Sequence, residues 1–131
     1  MKVLIVEDDP TSQMVLRKFL EPYGQCETAI DGHVALTAFR QALDSTERYD
    51  LVCLDIMMPG ISGHEVLEKI RAMETERKIF GSAGVKVVMT TALHDSTNIL
   101  QAFRSQCEAY LIKPIDRLKL VEQLRNLGLT P

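Results

Sequence analysis

The clearest strand of the chain is predicted at residues 3–6, within the sequence VLIVEDD of residues 3–9. Residues 3–6 are continuously apolar, which is typical of a strand buried on both faces of a parallel sheet, and three acidic residues follow directly. Residues 87–89, with the sequence VVM, form a second run of this kind. The pattern predicts a sheet that is covered by helices on both faces.

Short apolar runs alternate with helix-length amphipathic segments five times along the chain. The predicted strands are Val3–Val6, Cys26–Ile30, Leu51–Leu54, Val85–Met89 and Ala109–Ile112. Strands that alternate with helices imply right-handed crossovers, and therefore a mostly parallel sheet in an α/β fold.

The five predicted helices carry apolar residues at helical spacing. In chain order, these residues are Met14, Val15 and Phe19; Val34, Ala35, Ala38, Phe39, Ala42 and Leu43; Val66, Leu67, Ile70 and Met73; Ile99, Leu100 and Phe103; and Leu120, Val121, Leu124 and Leu127. Asp9, Asp31 and Ser62 are predicted to cap the first three helices, and Asp95 or Ser96 the fourth.

Composition indicates a globular protein of one domain, residues 1–131, with 46% hydrophobic and 25% charged residues. No apolar run reaches the roughly 20 residues of a membrane-spanning helix, and the first run is too short for a secretory signal. We therefore expect a cytoplasmic protein without membrane contact. The net charge of −3 and the scattered basic residues argue against a nucleic-acid partner. Buried reduced thiols are expected at Cys26, Cys53 and Cys107.

Polar residues follow the predicted strands where ligands bind in an open parallel sheet, at the carboxyl ends of the strands. Glu7 and Asp8 follow the first strand, Asp55 the third, Thr91 the fourth and Lys113 the fifth. Clustered carboxylates repel one another unless a cation joins them, and oxygen ligands favour magnesium. The sequence therefore predicts a Mg²⁺ site at this edge. By contrast, residues 74–84 lead into the amino end of the fourth strand, and we expect them to tolerate changes.

These residues form motifs that resemble the response-regulator receiver domain, the phosphoacceptor of two-component signalling. The matching stretches are VLIVEDD at 3–9, LDIMMPGISG at 54–63, VMTTA at 88–92 and YLIKP at 110–114. They occur in the expected order and cover essentially the whole chain. The resemblance implies a doubly wound (βα)5 fold with a five-stranded parallel sheet in the flavodoxin-like order 2-1-3-4-5.

The resemblance also implies roles at the predicted site. Asp55 would accept a phosphoryl group from a histidine kinase or a phosphotransfer protein. Magnesium would be bound by Asp8, by Asp55 and by the backbone carbonyl of Met57, with Glu7 acting mostly through a metal-bound water. Lys113 would contact the phosphoryl oxygens, and its bond to the following proline is expected to be cis.

A switch is implied as well. Thr91 would donate its hydroxyl to the phosphoryl group while the ring of Tyr110 turns inward, changing the surface of the fourth helix, fifth strand and fifth helix. This surface would bind an output protein that the sequence does not identify, and a homodimer formed on phosphorylation is a further expectation. The chemistry would be limited to self-catalysed phosphorylation and dephosphorylation of Asp55, so we do not expect an enzyme with other substrates.

Three positions depart from the common pattern of the family. Glu7 stands where aspartate is more frequent. Met57 and Leu93 flank the path of the hydrolytic water, and neither side chain can orient that water. We therefore expect a long-lived phosphorylated state.

Two other functions are compatible with the same architecture. A flavodoxin-like cofactor binder needs a phosphate-binding loop after the first strand, where the acidic residues 7–9 would repel phosphate. A metal-dependent phosphatase of the haloacid-dehalogenase type would need aspartate as its nucleophile at the position of Glu7. Both alternatives are therefore less well supported than the receiver.

Overall fold

The computed structural model describes residues 1–92 and 106–130, and its described part contains one sheet of five parallel strands. The strands are β1 (Lys2–Val6), β2 (Gln25–Ala29), β3 (Leu51–Asp55), β4 (Lys86–Thr91) and β5 (Ala109–Ile112). Their order in the sheet is β2-β1-β3-β4-β5, which confirms the predicted fold class and strand order.

Helices connect β1 to β2, β2 to β3 and β3 to β4, and a further helix follows β5. The described α-helices are α1 (Pro10–Leu20), α2 (Gly32–Leu43), α3 (Gly63–Glu76) and α4 (Arg117–Asn126), and a 3₁₀ turn lies at Gly81–Ala83. The residues of the predicted fourth helix, including its cap at Asp95 or Ser96, lie outside the described residues. The label α4 therefore corresponds to the predicted fifth helix.

Side-chain caps begin the helices where the sequence predicts them. Asp9 accepts a hydrogen bond from the backbone N–H of Ser12 at 3.0 Å, and Asp31 accepts one from Val34 at 2.9 Å. Ser62 caps α3 through the N–H of Glu65. Each cap satisfies an N–H group that has no partner inside its own helix, so these short polar residues set where the helices start.

The sheet separates two apolar cores. Helices α2 and α3 cover one face, where Phe39, Leu67 and Ile70 are fully buried. Helices α1 and α4 cover the other face with the leucine pairs Leu16–Leu20 and Leu120–Leu124. Because the strands are buried on both faces, only the ends of the sheet are left to carry polar chemistry.

Several predicted apolar positions are exposed. The predicted stripe of α1 is wrong at Met14 and Val15, which face outward, because the helix turns Leu16 and Leu20 toward the sheet instead. Val34 of α2 is likewise exposed. Ile30 lies beyond the end of β2 and is exposed rather than part of the strand.

None of the three cysteines, all of which lie in the described part of the chain, forms a disulfide. Cys26 and Cys53 are buried as expected, and burial raises the pKa of the Cys53 thiol to about 12. The expectation of a buried thiol is wrong for Cys107, which is only half-buried just before β5. None of the described helices combines the length and the apolar character needed to cross a membrane.

Candidate functional site

The carboxyl edge of the sheet brings four of the predicted site residues into one cluster. Glu7 and Asp8 follow β1, and Asp55 ends the neighbouring strand β3. Ligand oxygens of these three carboxylates lie within 4.8 Å of one another. Lys113 follows β5 and completes what we call the Asp55 cluster, consisting of Glu7, Asp8, Asp55 and Lys113.

Lys113 reaches across the end of β4 to join this cluster. Its Nζ donates to Oδ2 of Asp55 at 3.2 Å and forms a second, short hydrogen bond to Oε1 of Glu7. The backbone N–H of Lys113 donates to the carbonyl of Thr91 at 2.7 Å, which continues the pairing of β5 with β4. The peptide bond between Lys113 and Pro114 is cis, as predicted.

Two carboxylates of the cluster are buried, and the surroundings shift the pKa values of Asp8 and Lys113. Glu7 is 1% exposed and Asp55 is 4% exposed, and a buried carboxylate is costly unless it is paired or bound to a cation. Desolvation, followed by the interaction with Glu7, raises the pKa of Asp8 above its ordinary value. Partial burial acts to lower the pKa of Lys113, but the hydrogen bond to Glu7 and the charge of Asp55 outweigh it and raise that pKa.

The loop after β3 fixes the position of the Asp55 carboxylate. Its Oδ1 accepts a hydrogen bond from the backbone N–H of Met57 at 3.1 Å, while the Met57 side chain is 61% exposed beside the site. The start of α3 packs directly against this loop, since a Cβ added at Gly63 would lie 2.3 Å from the carbonyl oxygen of Asp55. The prediction from the sequence missed this role of Gly63.

The two predicted switch residues lie on adjacent strands. Thr91 is fully buried at the end of β4, and Tyr110 is half-buried on β5, packed against the core that α2 and α3 cover. In the β4–β5 ladder, Tyr110 pairs with Met89 and Ile112 pairs with Thr91. Leu93, predicted to flank the site together with Met57, lies outside the described residues.

The donor set of the Asp55 cluster fits magnesium. Its carboxylates offer only oxygen atoms, and three negative charges face one ammonium group. Asp8 is exposed, so a cation can reach it from solvent. Both oxygens of Glu7 already accept hydrogen bonds, from Lys113 and from the N–H of Asp9, which is compatible with contact to a metal through water. Asp9 belongs to the helix cap and not to the metal-binding set.

Comparison with known proteins agrees with this geometry. The family described as the response regulator receiver domain matches residues 3–125. The chain therefore belongs to the response-regulator receiver family, and it is a receiver domain of the kind used in two-component signalling.

Relatives with this domain occur in regulators and in sensor kinases. The transcriptional activator protein IrlR of Burkholderia pseudomallei is 34% identical over 127 residues, which is 97% of this chain and 50% of that protein. The sensor protein GacS of Pseudomonas syringae is 32% identical over 122 residues, 92% of this chain and 13% of the sensor. This chain thus spans about half the length of the first relative and a small part of the second.

Among solved structures, the response regulator TrrA of Thermotoga maritima is similar with a TM-score of 0.74 and 30% identity. The match covers 96% of this chain and 97% of that one, and the TrrA structure is a complex with Mg²⁺-BeF. The comparisons support the receiver assignment and not the flavodoxin-like or phosphatase alternatives.

Proposed function

We propose that Asp55 is the phosphoacceptor of this receiver and that Lys113 is the fixed cation of its reaction. The observation that carries the proposal is the contact of Lys113 with the buried carboxylate of Asp55, next to Glu7 and Asp8. An aspartate with a purely structural role does not require a lysine and two further carboxylates around it. An acceptor carboxylate needs it, because its anion must meet an anionic phosphoryl group.

The transfer exchanges one bond to phosphorus for another. A carboxylate oxygen of Asp55 forms the new phosphorus–oxygen bond while the phosphorus–nitrogen bond of a phosphohistidine donor breaks, and the imidazole leaves with its electron pair and takes up a proton. Hydrolysis reverses the state, because water attacks phosphorus and releases inorganic phosphate and the Asp55 carboxylate. Both steps occur on the receiver itself, so we do not propose an enzyme with other substrates.

Magnesium is the cofactor that this cluster would hold, through Asp8, Asp55, the backbone carbonyl of Met57 and, by way of a water, Glu7. Bound there, it would neutralise charge between the carboxylate and the incoming phosphoryl group. Lys113 then turns from its carboxylate partners toward the phosphoryl oxygens, and Thr91 supplies a hydroxyl donor beside it.

Phosphorylation of Asp55 would change the structure of β5 and its surface. Thr91 and Tyr110 are the two side chains that we propose to move together on phosphorylation, as the hydroxyl turns to the phosphoryl group and the ring follows. The surface of β5 and α4 would then bind an output protein or a second copy of the chain. Light scattering with and without magnesium and beryllofluoride tests the homodimer, which is refuted if the mass stays monomeric in the activated state.

The assignment of Asp55 is tested by intact-mass measurement after incubation with acetyl phosphate and magnesium. We expect the mass of one phosphoryl group on the wild-type chain, lost on treatment with hydroxylamine and absent when the metal is chelated. Asp55→Asn should remove the modification completely.

The matched control is Asp9→Asn, since asparagine keeps the helix cap while a nearby carboxylate is removed. This variant should be phosphorylated like the wild type. Modification that persists in Asp55→Asn, or that disappears equally in Asp9→Asn, would refute the assignment of the acceptor.

We propose that the phosphohistidine protein docks on the outer face of α1 and the start of α4. Met14, Val15 and Leu118 are exposed there, and an apolar groove between Val15 and Ile115 borders Lys113. Exposed apolar side chains next to a phosphoacceptor suit a helical protein donor, because a small donor such as acetyl phosphate has no use for them.

Val15→Asp separates the two kinds of donor. Its rate with acetyl phosphate should equal that of the wild type, while transfer from a panel of phosphorylated histidine-phosphotransfer proteins should slow. Val34→Asp, at an exposed valine on α2, is the control. Equal transfer to both variants would rule out docking at α1.

A further inference from the structure

A second ionic cluster lies at the opposite, amino edge of the sheet. It consists of Arg71 and Glu74 on α3 and Glu108 before β5, and we call it the Arg71 cluster. Arg71 pairs with Glu74 at 2.8 Å and with Glu108 at 3.1 Å. Glu74, the first residue of the segment expected to tolerate changes, is buried and belongs to α3, so this segment is not entirely a surface connection.

The guanidinium of Arg71 is fully used in this cluster. Its Nε donates to the carbonyl of Gln106 at 2.8 Å, and one terminal nitrogen donates to Glu74 and to the carbonyl of Val85 at 2.9 Å. The other terminal nitrogen contacts both oxygens of Glu108 at 3.1 Å. These five contacts match the five N–H donors of an arginine. Arg71 therefore connects α3 to the starts of both β4 and β5.

Glu108 also defines where β5 joins the sheet. Its backbone N–H donates to the carbonyl of Val87 at 3.0 Å, and its carboxylate accepts from the N–H of Val87 at 2.6 Å. In a longer parallel ladder that N–H would bond to the carbonyl of Gln106, which Arg71 occupies instead. The side chains of Arg71 and Glu108 thus replace one rung of the ladder and fix the register at the beginning of β5.

The contacts of Arg71 and Glu108 are important for the register of β5 because this strand makes few other contacts that could fix its register against β4. The strand has four residues, and in the part of the chain that the structure describes it pairs only with β4. Backbone hydrogen bonds repeat every two residues, so they do not by themselves select one register. Leu111 is the one buried side chain of the strand. The other end of the same strand carries Lys113.

We propose that Arg71 is a positioning residue for Lys113, acting along β5 from the opposite edge of the sheet. Fixing residues 106–108 on α3 and β4 sets the place at which the strand ends, and hence where the ammonium group stands relative to Asp55. The inference rests on the proposed role of Lys113 in phosphorylation. The three carboxylates are held by the ends of β1 and β3, and moving the Lys113 ammonium away removes a positive charge that competes with a metal. Loss of Arg71 should therefore slow phosphorylation without weakening magnesium binding.

The test compares Arg71→Met with Arg77→Met. Arg77 directly follows α3 and pairs with Asp44, which directly follows α2, but it makes no described contact with β4 or β5. Magnesium affinity is measured by calorimetry, and the phosphorylation rate by intact mass with acetyl phosphate. We expect Arg71→Met to slow phosphorylation on the order of tenfold to a hundredfold through misplacement of Lys113, with no loss of magnesium affinity. Arg77→Met should match the wild type in both.

A double-mutant cycle shows whether the effect passes through Lys113. In a Lys113→Ala background, Arg71→Met should cause no further loss of rate. An equal loss in both backgrounds, or a parallel loss of magnesium affinity, would overturn the proposal. A wild-type chain that takes no phosphoryl group on Asp55 would instead refute the proposed function, which is a separate outcome.

Two milder variants cover the case in which Arg71→Met does not fold. Arg71→Lys keeps the charge but cannot make the forked contacts, so it should also slow phosphorylation. Glu108→Gln keeps an acceptor for the N–H of Val87 and should slow it less. A wild-type rate in Arg71→Lys would show that charge alone is sufficient, and the positioning role would be wrong.

Discussion

The Asp55 cluster and the Arg71 cluster place similar charges at opposite edges of one sheet. At the carboxyl edge, the ammonium of Lys113 faces Glu7 and Asp55, with Asp8 close by. At the amino edge, the guanidinium of Arg71 faces Glu74 and Glu108. Both clusters are partly buried, and both join distant parts of the chain.

The two clusters differ in what is left for a ligand. At the amino edge two carboxylates face one guanidinium, and each also accepts a backbone N–H, from Val85 at 2.7 Å and from Val87 at 2.6 Å. At the carboxyl edge three carboxylates share one ammonium group. Saturated contacts make the Arg71 cluster structural, whereas excess negative charge makes the Asp55 cluster a site for cations.

The largest expected effect is on the free energy of unfolding. Arg71→Met should lower it by about 2–3 kcal/mol, because Glu74 is then left buried without its cation. Urea denaturation measures this, and added magnesium should not restore the loss. Arg77→Met should cost less than about 1 kcal/mol, since Asp44 is 62% exposed. An equal loss of unfolding free energy in the two variants would show that the buried Arg71–Glu74 pair contributes no more than the exposed Arg77–Asp44 pair.

Magnesium should stabilise the protein through the Asp55 cluster alone. At a concentration 100 times its dissociation constant, a ligand that binds only the folded state adds about 2.7 kcal/mol. Asp8→Ala should abolish most of this gain. Asp9→Ala should keep the gain while lowering the melting temperature in the absence of metal, because the cap of α1 is lost. Loss of the gain in both variants would show that the ligands are wrongly assigned.

Two glycines test how tightly each edge is built. A Cβ on Gly63 would lie 2.3 Å from a backbone oxygen of Asp55, so Gly63→Ala should cost about 2 kcal/mol and slow phosphorylation. A Cβ on Gly84 would lie 3.1 Å from a side-chain oxygen of Glu74, so a displacement of only a few tenths of an ångström would accommodate it. Thermal unfolding should therefore show a smaller loss for Gly84→Ala, and the reverse order would contradict the geometry.

The phosphorylated state should decay slowly after the donor is removed. Met57 is exposed beside Asp55 and offers no polar group to hold the attacking water. Replacing Met57 by asparagine together with Leu93→Glu should speed the decay several-fold, as followed by intact mass. A wild-type chain that already decays as fast as the double variant would show that these positions do not control the lifetime.

The smallest effect is expected in the connection between α3 and β4. Two residues inserted between Gly81 and Ser82 should change stability by less than about 1 kcal/mol, because a slightly longer surface loop costs little entropy. Gly81 has a positive φ of 57° and open space around it. The phosphorylation rate should be unchanged, and a large fall would show that the two edges are coupled through this connection.

The sequence predicted the sheet and its order because apolar runs mark buried strands directly. It also predicted which residues meet at the carboxyl edge, since the ends of parallel strands converge there. The prediction ended β3 at Leu54 and β4 at Met89, whereas the strands continue to Asp55 and Thr91. Because Asp55, Thr90 and Thr91 are polar, the sequence suggested that they lie in loops. In the structure they are buried strand residues.

The Arg71 cluster could not be predicted in the same way. Arg71 lies on a helix as an ordinary charged residue, and its partner Glu108 is 37 residues away. No periodicity or motif links them, because their contact depends on how α3 packs against the starts of β4 and β5. Similarly, the outward face of α1 at Met14 was set by the packing of Leu16 and Leu20, which apolar spacing alone did not resolve.

The contact of Lys113 with Glu7 spans 106 residues, and this has a consequence for synthesis on the ribosome. Every carboxylate of the Asp55 cluster has been translated by residue 55, yet the cation arrives only with the last strand. A growing chain can thus gather the acidic half of the site well before it can complete the basic half. Competence to take a phosphoryl group at full rate therefore reports that almost the entire domain has been made and folded.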